Sequence, residues 1–188
     1  MTATIALAGR RIDAADAQTP RFPLASIPLV RERLRELFVR CKAATLVCSA
    51  ACGADLTALE VAGDLGMRRS VVLPFAADRF RETSVTDRPG DWGPLYDRII
   101  EAVRQAGDLV VLEGAGEGDA AYQAANERIL DEAAAHTDAG QADGSSRTEA
   151  ALAVIVWEGR TRGTDDATQH FADGAKQRGL DVEPVLTR

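Results

Sequence analysis

Cysteine is scarce in this chain of 188 residues: Cys41, Cys48 and Cys52 are the three present. An odd count, with nothing resembling a secretory leader, argues against a disulfide framework. Histidine is scarcer still. His136 and His170 stand too far apart in sequence to supply the ligand pairs of a structural zinc site, so no metal is expected. No apolar run approaches the ~18 residues a bilayer-spanning helix needs, and no membrane is expected as a partner. The opening stretch Met1–Arg10 has a short apolar run without a basic segment before it. It reads as a buried first strand, not as a signal peptide, and the cytoplasm is the expected location. Positive charge is in deficit, with 22 Lys and Arg against 29 Asp and Glu and a net charge of -7. Such a chain repels a phosphate backbone, so nucleic acid is not the expected partner. A small anion is compatible, because backbone N–H groups at a helix start bind one without net positive charge.

Several motifs are missing as well. The sequence has no G-x-x-x-x-G-K-[ST], which excludes a P-loop NTPase. The turn after the first apolar run, Gly9-Arg10-Arg11-Ile12-Asp13, has one glycine, so the dinucleotide fingerprint is absent. No G-x-S-x-G nucleophile elbow occurs. No cofactor is expected.

What is present is alternation. Short apolar runs at about 4–9, 44–49, 70–75, 108–113, 151–157 and 181–186 read as strands. Amphipathic stretches at about 28–42, 54–66, 93–106, 119–136 and 165–178 read as helices. That order predicts an α/β fold: a three-layer, Rossmann-like open sheet, mostly parallel, of about six strands with helices on both faces. Continuous runs such as Leu109-Val110-Val111-Leu112 predict strands covered on both sides. Pro28 suits a first helical turn with Ser26 as its cap, and Gly66, Gly107 and Gly179 are placed to end helices. Residues 10–25, with Pro20 and Pro23, predict a long loop after the first strand. Residues 137–148 lack large apolar side chains and are expected to form a mobile internal loop of one domain spanning 1–188.

The chemistry concentrates at Cys48-Ser-Ala-Ala-Cys-Gly-Ala-Asp-Leu-Thr-Ala-Leu-Glu60. A strand enters a turn of small residues (Ser49, Ala50, Ala51, Cys52, Gly53) and then a helix. Small side chains let a ligand approach the backbone, and the helix start offers N–H groups and partial positive charge. Ser49 adds a hydroxyl. The turn falls at the carboxyl end of a parallel strand, where open α/β sheets bind ligands. A tight turn with Asp55 as a first-turn charge accounts for the same residues without a ligand.

The order Gly9-Arg10-Arg11, Ser49-Ala-Ala-Cys-Gly-Ala-Asp55 with Glu60, and Val71-Val72-Leu73-Pro74-Phe75 resembles the SLOG superfamily. Further matches are Phe80-Arg-Glu-Thr-Ser84-Val85 with Trp92, Tyr122-Gln-Ala-Ala-Asn126, and Trp157-Glu158-Gly159 before Asp165-Asp166-Ala-Thr168. That superfamily includes Lonely Guy-type phosphoribohydrolases, the DNA-processing protein A fold and bacterial nucleotide-sensing domains, some found beside signalling modules. The resemblance implies a Rossmann-like sheet that binds a nucleotide or nucleotide-derived ligand at the glycine turn. Of the hydrolase signature P-G-G-x-G-T-x-x-E, only Gly53 and a downstream acid, Asp55 or Glu60, have counterparts here.

The resulting expectation is a nucleotide-binding or sensing domain. Phosphate would sit on the Ser49–Gly53 backbone, helped by Arg10 or Arg11; sugar hydroxyls would reach Asp55 or Glu60; the base would lie near Phe75, Trp92 or Trp157. Gly9, Asn126 and Gly159 complete the candidate set, Asn126 because a buried amide needs partners. Packing is the favoured reading of Trp157, helix capping of Asp166 and Thr168, and a small buried side chain, ahead of a reactive thiol, of Cys52. The second reading is an N-glycosidic hydrolase with Glu60 or Asp55 as its carboxylate; the third is an interaction module with a degenerate pocket. A second copy of the chain or a signalling domain would be the protein partner. Because Glu60 lies five residues beyond Asp55, a regular helix turns it away by roughly 140°, so both acids cannot readily face one ligand.

Overall fold

Six parallel strands, in the order β4-β3-β2-β1-β5-β6, form one sheet with helices packed against both faces. The computed structural model describes residues 2–114, 118–142, 150–164 and 166–188, apart from the side chains of 136–142. The strands are β1 (Ala3–Gly9), β2 (Ala43–Cys48), β3 (Arg68–Leu73), β4 (Leu109–Val111), β5 (Ala150–Trp157) and β6 (Asp181–Leu186). The helices are α1 (Ile27–Arg40), α2 (Ala54–Asp64), α3 (Ala77–Ser84), α4 (Gly93–Ala106), α5 (Asp119–Ala142) and α6 (Ala167–Gln177).

Period-two alternation along the strands divides the core in two. Ile5, Leu7, Leu46, Cys48, Val71, Leu73, Val154 and Val156 face α1, α2 and α4. Ala6, Val47, Val72, Ala153 and Ile155 face α5 and α6, which contribute Ile129, Leu130 and Phe171. A strand with helices on both sides has no polar face, which is why these segments read as continuous apolar runs. β1 lies at the centre, between β2 and β5. Chain direction across the sheet reverses there, so the carboxyl ends of β1 and β5 flank the topological switch point.

Some elements differ from expectation. The sheet is parallel throughout, in keeping with the expected fold class, but α3 is an additional helix. Its eight residues turn only Phe80 and Ser84 inward, too few to make a visible period. Ser26 makes no capping bond to α1, whereas Pro28 does occupy its first turn. Asp166 caps α6, accepting from the N–H groups of Thr168 and Gln169. Of the segment 137–148 expected to be mobile, residues 137–142 continue α5 and the remainder lies outside the described residues. Extending an existing helix requires no apolar side chains, only the next backbone bond.

Candidate functional site

A cavity of about 530 Å³ opens at the switch point. Its floor is Leu7, Ala8 and Gly9 at the end of β1, and one wall is the β2–α2 turn, with Ser49, Ala51 and Asp55. The loop after β1 contributes Arg10 to Ala14, Ala17, Thr19 and Arg21. The opposite wall is a stripe of α5, Asp119, Tyr122, Asn126 and Ile129, whose spacings of three and four place them on one helical face. Phe80 and Ser84 of α3, Arg88 beyond it, and Arg162, Ala167 and Thr168 complete the lining. The Ser84 and Tyr122 hydroxyls are hydrogen-bonded to each other at 2.9 Å.

The two consecutive arginines diverge, as neighbours on an extended chain must. Arg10 turns toward β5 and α6 and is 4% exposed. Its Nε donates to Glu158 at 2.7 Å, and Nη1 donates to Asp166 at 2.6 Å and to Thr168 at 3.2 Å. Nη2 donates to Asp166 at 2.8 Å and to the Arg160 carbonyl at 2.9 Å. All of its guanidinium nitrogens are thereby engaged by protein acceptors. Burial alone would raise the Asp166 carboxyl, but bonds from Arg10 and the Arg162 N–H hold it well below the usual carboxylate range.

Arg11 turns the other way. Its Nη2 contacts Asp87 and lies 3.8 Å from the Cys52 sulfur, while its buried Nε has no partner among the described residues. The Cys52 thiol is fully buried, and burial raises its pKa, which disfavours the reactive thiolate.

The β2–α2 turn is tied to its surroundings more closely than expected. The Ala51 N–H donates to Asp55 Oδ2 at 3.1 Å, the Cys52 N–H to the Ser84 carbonyl at 3.0 Å, and the Ala54 N–H to the Arg10 carbonyl at 3.1 Å. Two of the donors expected to receive a phosphate, the Ala51 and Cys52 N–H groups, thus hold protein acceptors. Gly53, at φ 102°, serves the same packing: a Cβ there would lie 2.7 Å from the Ile12 nitrogen and 2.8 Å from the Arg10 oxygen. Gly9 is also required by packing, since a Cβ there would approach Ala54 Cβ to 2.5 Å. The small residues admit the loop after β1.

Among the candidate residues, Gly9, Arg10, Arg11, Ser49, Ala51, Asp55 and Asn126 line the cavity. Ala50, Cys52 and Gly53 are buried behind it. Glu60 is not in the lining; it pairs with Arg31 of α1 and lies 3.9 Å from Arg98 of α4. Helical periodicity carries it off the face that holds Asp55. Trp92 packs in the α1–α2–α4 core, where its indole N–H donates to the Pro89 carbonyl at 2.9 Å. Trp157 packs toward α5 and α6, its Nε1 buried without a partner among the described residues. Phe75 stands behind the wall, in ring contact with Phe80 and Tyr122 and beneath the Arg79 guanidinium at 4.7 Å. Gly159 is exposed and outside the lining. Arg21, Arg88, Arg162, Ser84 and Tyr122 were not singled out from the sequence as site residues. Arg21 and Arg162 sit in loops after strand ends, Arg88 in the loop after α3, and the Tyr122–Asn126 spacing marks one helix face.

Asp55 is the unusual titratable group. It is 7% exposed, and burial pushes its carboxyl up to about 7 despite the Ala51 N–H bond and nearby Arg11. Among the described residues no group of three or more His, Cys, Asp or Glu side chains is placed to hold a metal ion. No described helix is long and apolar enough to cross a membrane.

No protein-family model and no curated protein matches the chain. Among solved structures, DNA processing protein A from Streptococcus pneumoniae aligns over 97% of this chain with a TM-score of 0.56 and 15% sequence identity. This chain spans 50% of the length of that one. At such identity the likeness speaks for architecture, and the chain has the Rossmann-like fold of DNA processing protein A, the fold that the SLOG resemblance implied.

Proposed function

We propose that this chain binds a nucleotide-type small molecule in the cavity at the β1/β5 switch point. The observation that carries the reading is the cavity itself. At about 530 Å³ it falls within the usual range for small-molecule sites, and it lies where open α/β sheets hold ligands. Its lining combines guanidinium groups for an anion (Arg11, Arg21, Arg88, Arg162) with apolar and aromatic surface for a base (Phe80, Tyr122, Ile129). Ser49 and Asn126 supply the polar groups that orient a sugar.

Binding is favoured over N-glycosidic hydrolysis because Glu60 is turned away, leaving Asp55 as the sole survivor of the two candidate catalytic carboxylates. A small molecule is favoured over nucleic acid because the chain carries a net charge of -7 and these arginines line one cavity. Thermal-shift measurements against nucleosides, nucleoside mono-, di- and bisphosphates, cyclic and sugar nucleotides, and a single-stranded oligonucleotide test the reading. Stabilisation by one or more phosphorylated compounds, and by no parent nucleoside, is expected. A flat response across the nucleotides, or a response to the oligonucleotide alone, would overturn it.

A further inference from the structure

The arginines of the cavity fall into two groups on opposite sides of β1. Arg11 and Arg88 lie on the β2 side with a single carboxylate, Asp87, between them. Arg11 holds Asp87 closely; Arg88 Nε is 3.6 Å from its other oxygen. On the β5 side, Arg10, Arg21 and Arg162 share Glu158 and Asp166. Arg10 binds both carboxylates at 2.6–2.8 Å, leaving Arg21 Nε 3.4 Å from Glu158 and Arg162 Nε 3.9 Å from Asp166.

The pattern is the same on both flanks. Three cavity-lining guanidiniums (Arg21, Arg88 and Arg162) are each 31–42% exposed, and each has as counter-ion a carboxylate already bound more closely by another arginine. Each flank therefore has one guanidinium more than the carboxylates that pair with its guanidiniums. None of the remaining acids of the lining is ion-paired with these guanidiniums among the described residues. Asp13 accepts the N–H groups of Arg21 and Phe22, Asp55 is buried against the Ala51 N–H, and Asp119 stands exposed in the first turn of α5.

We infer that the cavity takes a nucleotide derivative with anionic groups at both ends, one held by Arg11 and Arg88 and the other by Arg21 and Arg162. This rests on the nucleotide-binding reading above and adds the charge arrangement of the ligand. Fork-shaped guanidiniums bind phosphate oxygens through paired charge-assisted bonds, and the buried Arg11 Nε has no acceptor among the described residues. Phe80, Tyr122 and Ile129 supply uncharged surface to the same cavity, suited to the body of such a ligand.

Isothermal titration at low salt tests this with nucleoside 5′-monophosphates, 5′-diphosphates and 3′,5′-bisphosphates of the four common bases. The proteins compared are the parent, Arg88→Gln and Arg162→Gln. Both substituted side chains are partly exposed and loosely paired, and circular dichroism verifies folding. For the preferred base, the bisphosphate binds at least ~10-fold more tightly than the 5′-monophosphate or the 5′-diphosphate, as a charged hydrogen-bonded contact warrants. Each variant lowers bisphosphate affinity about 10-fold, and one of the two leaves 5′-monophosphate affinity unchanged, because that ligand lacks the corresponding end. Equal affinity for monophosphate and bisphosphate, an equal gain from the 5′-diphosphate, or equal losses by both variants toward the monophosphate would each overturn the two-ended ligand while leaving nucleotide binding intact. Absence of binding to every nucleotide would overturn nucleotide binding, and this inference with it.

Discussion

Asp55 shows how one buried carboxyl couples the cavity to pH. Its proton is bound more tightly in the folded chain, with a pKa of about 7 in place of the ordinary 3.8. The stability it contributes is therefore fully present below pH ~4 and is lost as pH rises through 7. A rise of that size corresponds to on the order of 4 kcal/mol across that window. Asp55→Asn keeps an oxygen for the Ala51 N–H and removes the titration. Urea midpoints measured from pH 4 to 8 should fall for the parent relative to the variant; parallel profiles would contradict the assignment. Single residues were unevenly legible in the sequence. The outward turn of Glu60 follows from its five-residue offset from Asp55 on a helix. Arg10 looked like its neighbour because its partners, Glu158 and Asp166, lie about 150 residues downstream, and local pattern carries no information about such a distance.

Between elements, the decisive contact is the loop after β1 against the β2–α2 turn. Sequence placed a run of small residues there but did not distinguish a ligand's approach to backbone from another chain segment's approach, since both require missing side chains. The Arg11–Gly53 bridge and the Ala54 to Arg10 hydrogen bond identify the segment. Gly53→Val consequently acts on the fold before it acts on any ligand. It places a Cβ within 2.8 Å of two backbone atoms at a φ of 102°. Urea unfolding should register a loss of at least ~1–3 kcal/mol from the backbone conformation alone. A Gly53→Val protein as stable as its parent would show that the loop is free to move aside. The inner strands β1, β2, β3 and β5 were readable with nearly correct limits, because burial on both faces writes an apolar run directly into the sequence, whereas the edge strand β4 is three residues long and ends on an exposed Val111. Helix α3 was not readable, since a short helix with two inward residues leaves no period.

At the scale of the molecule, a ligand that binds only the folded chain raises its stability through mass action. At a concentration 100-fold above Kd the gain is about 2.7 kcal/mol. For a chain of this size that corresponds to a rise in Tm of roughly 5–10 °C. The rise should shrink as ionic strength increases, because partly exposed guanidinium–phosphate contacts are screened. A salt-independent shift would point to a ligand held by apolar contact. The position of β1 has a further consequence, for biosynthesis. Its Ala3 pairs with Ala43 on one side and with Ala150 on the other. A ribosome adding about 5–20 residues per second delivers the second partner roughly 7–30 s after β1 is made. Over that interval the nascent sheet can extend only from β1 toward β4, and the edge of β1 awaiting β5 is open to wrong strands. Arg10 has none of its carboxylate partners until Glu158 and Asp166 emerge, so the cavity acquires its β5-side wall only after most of the chain has been made.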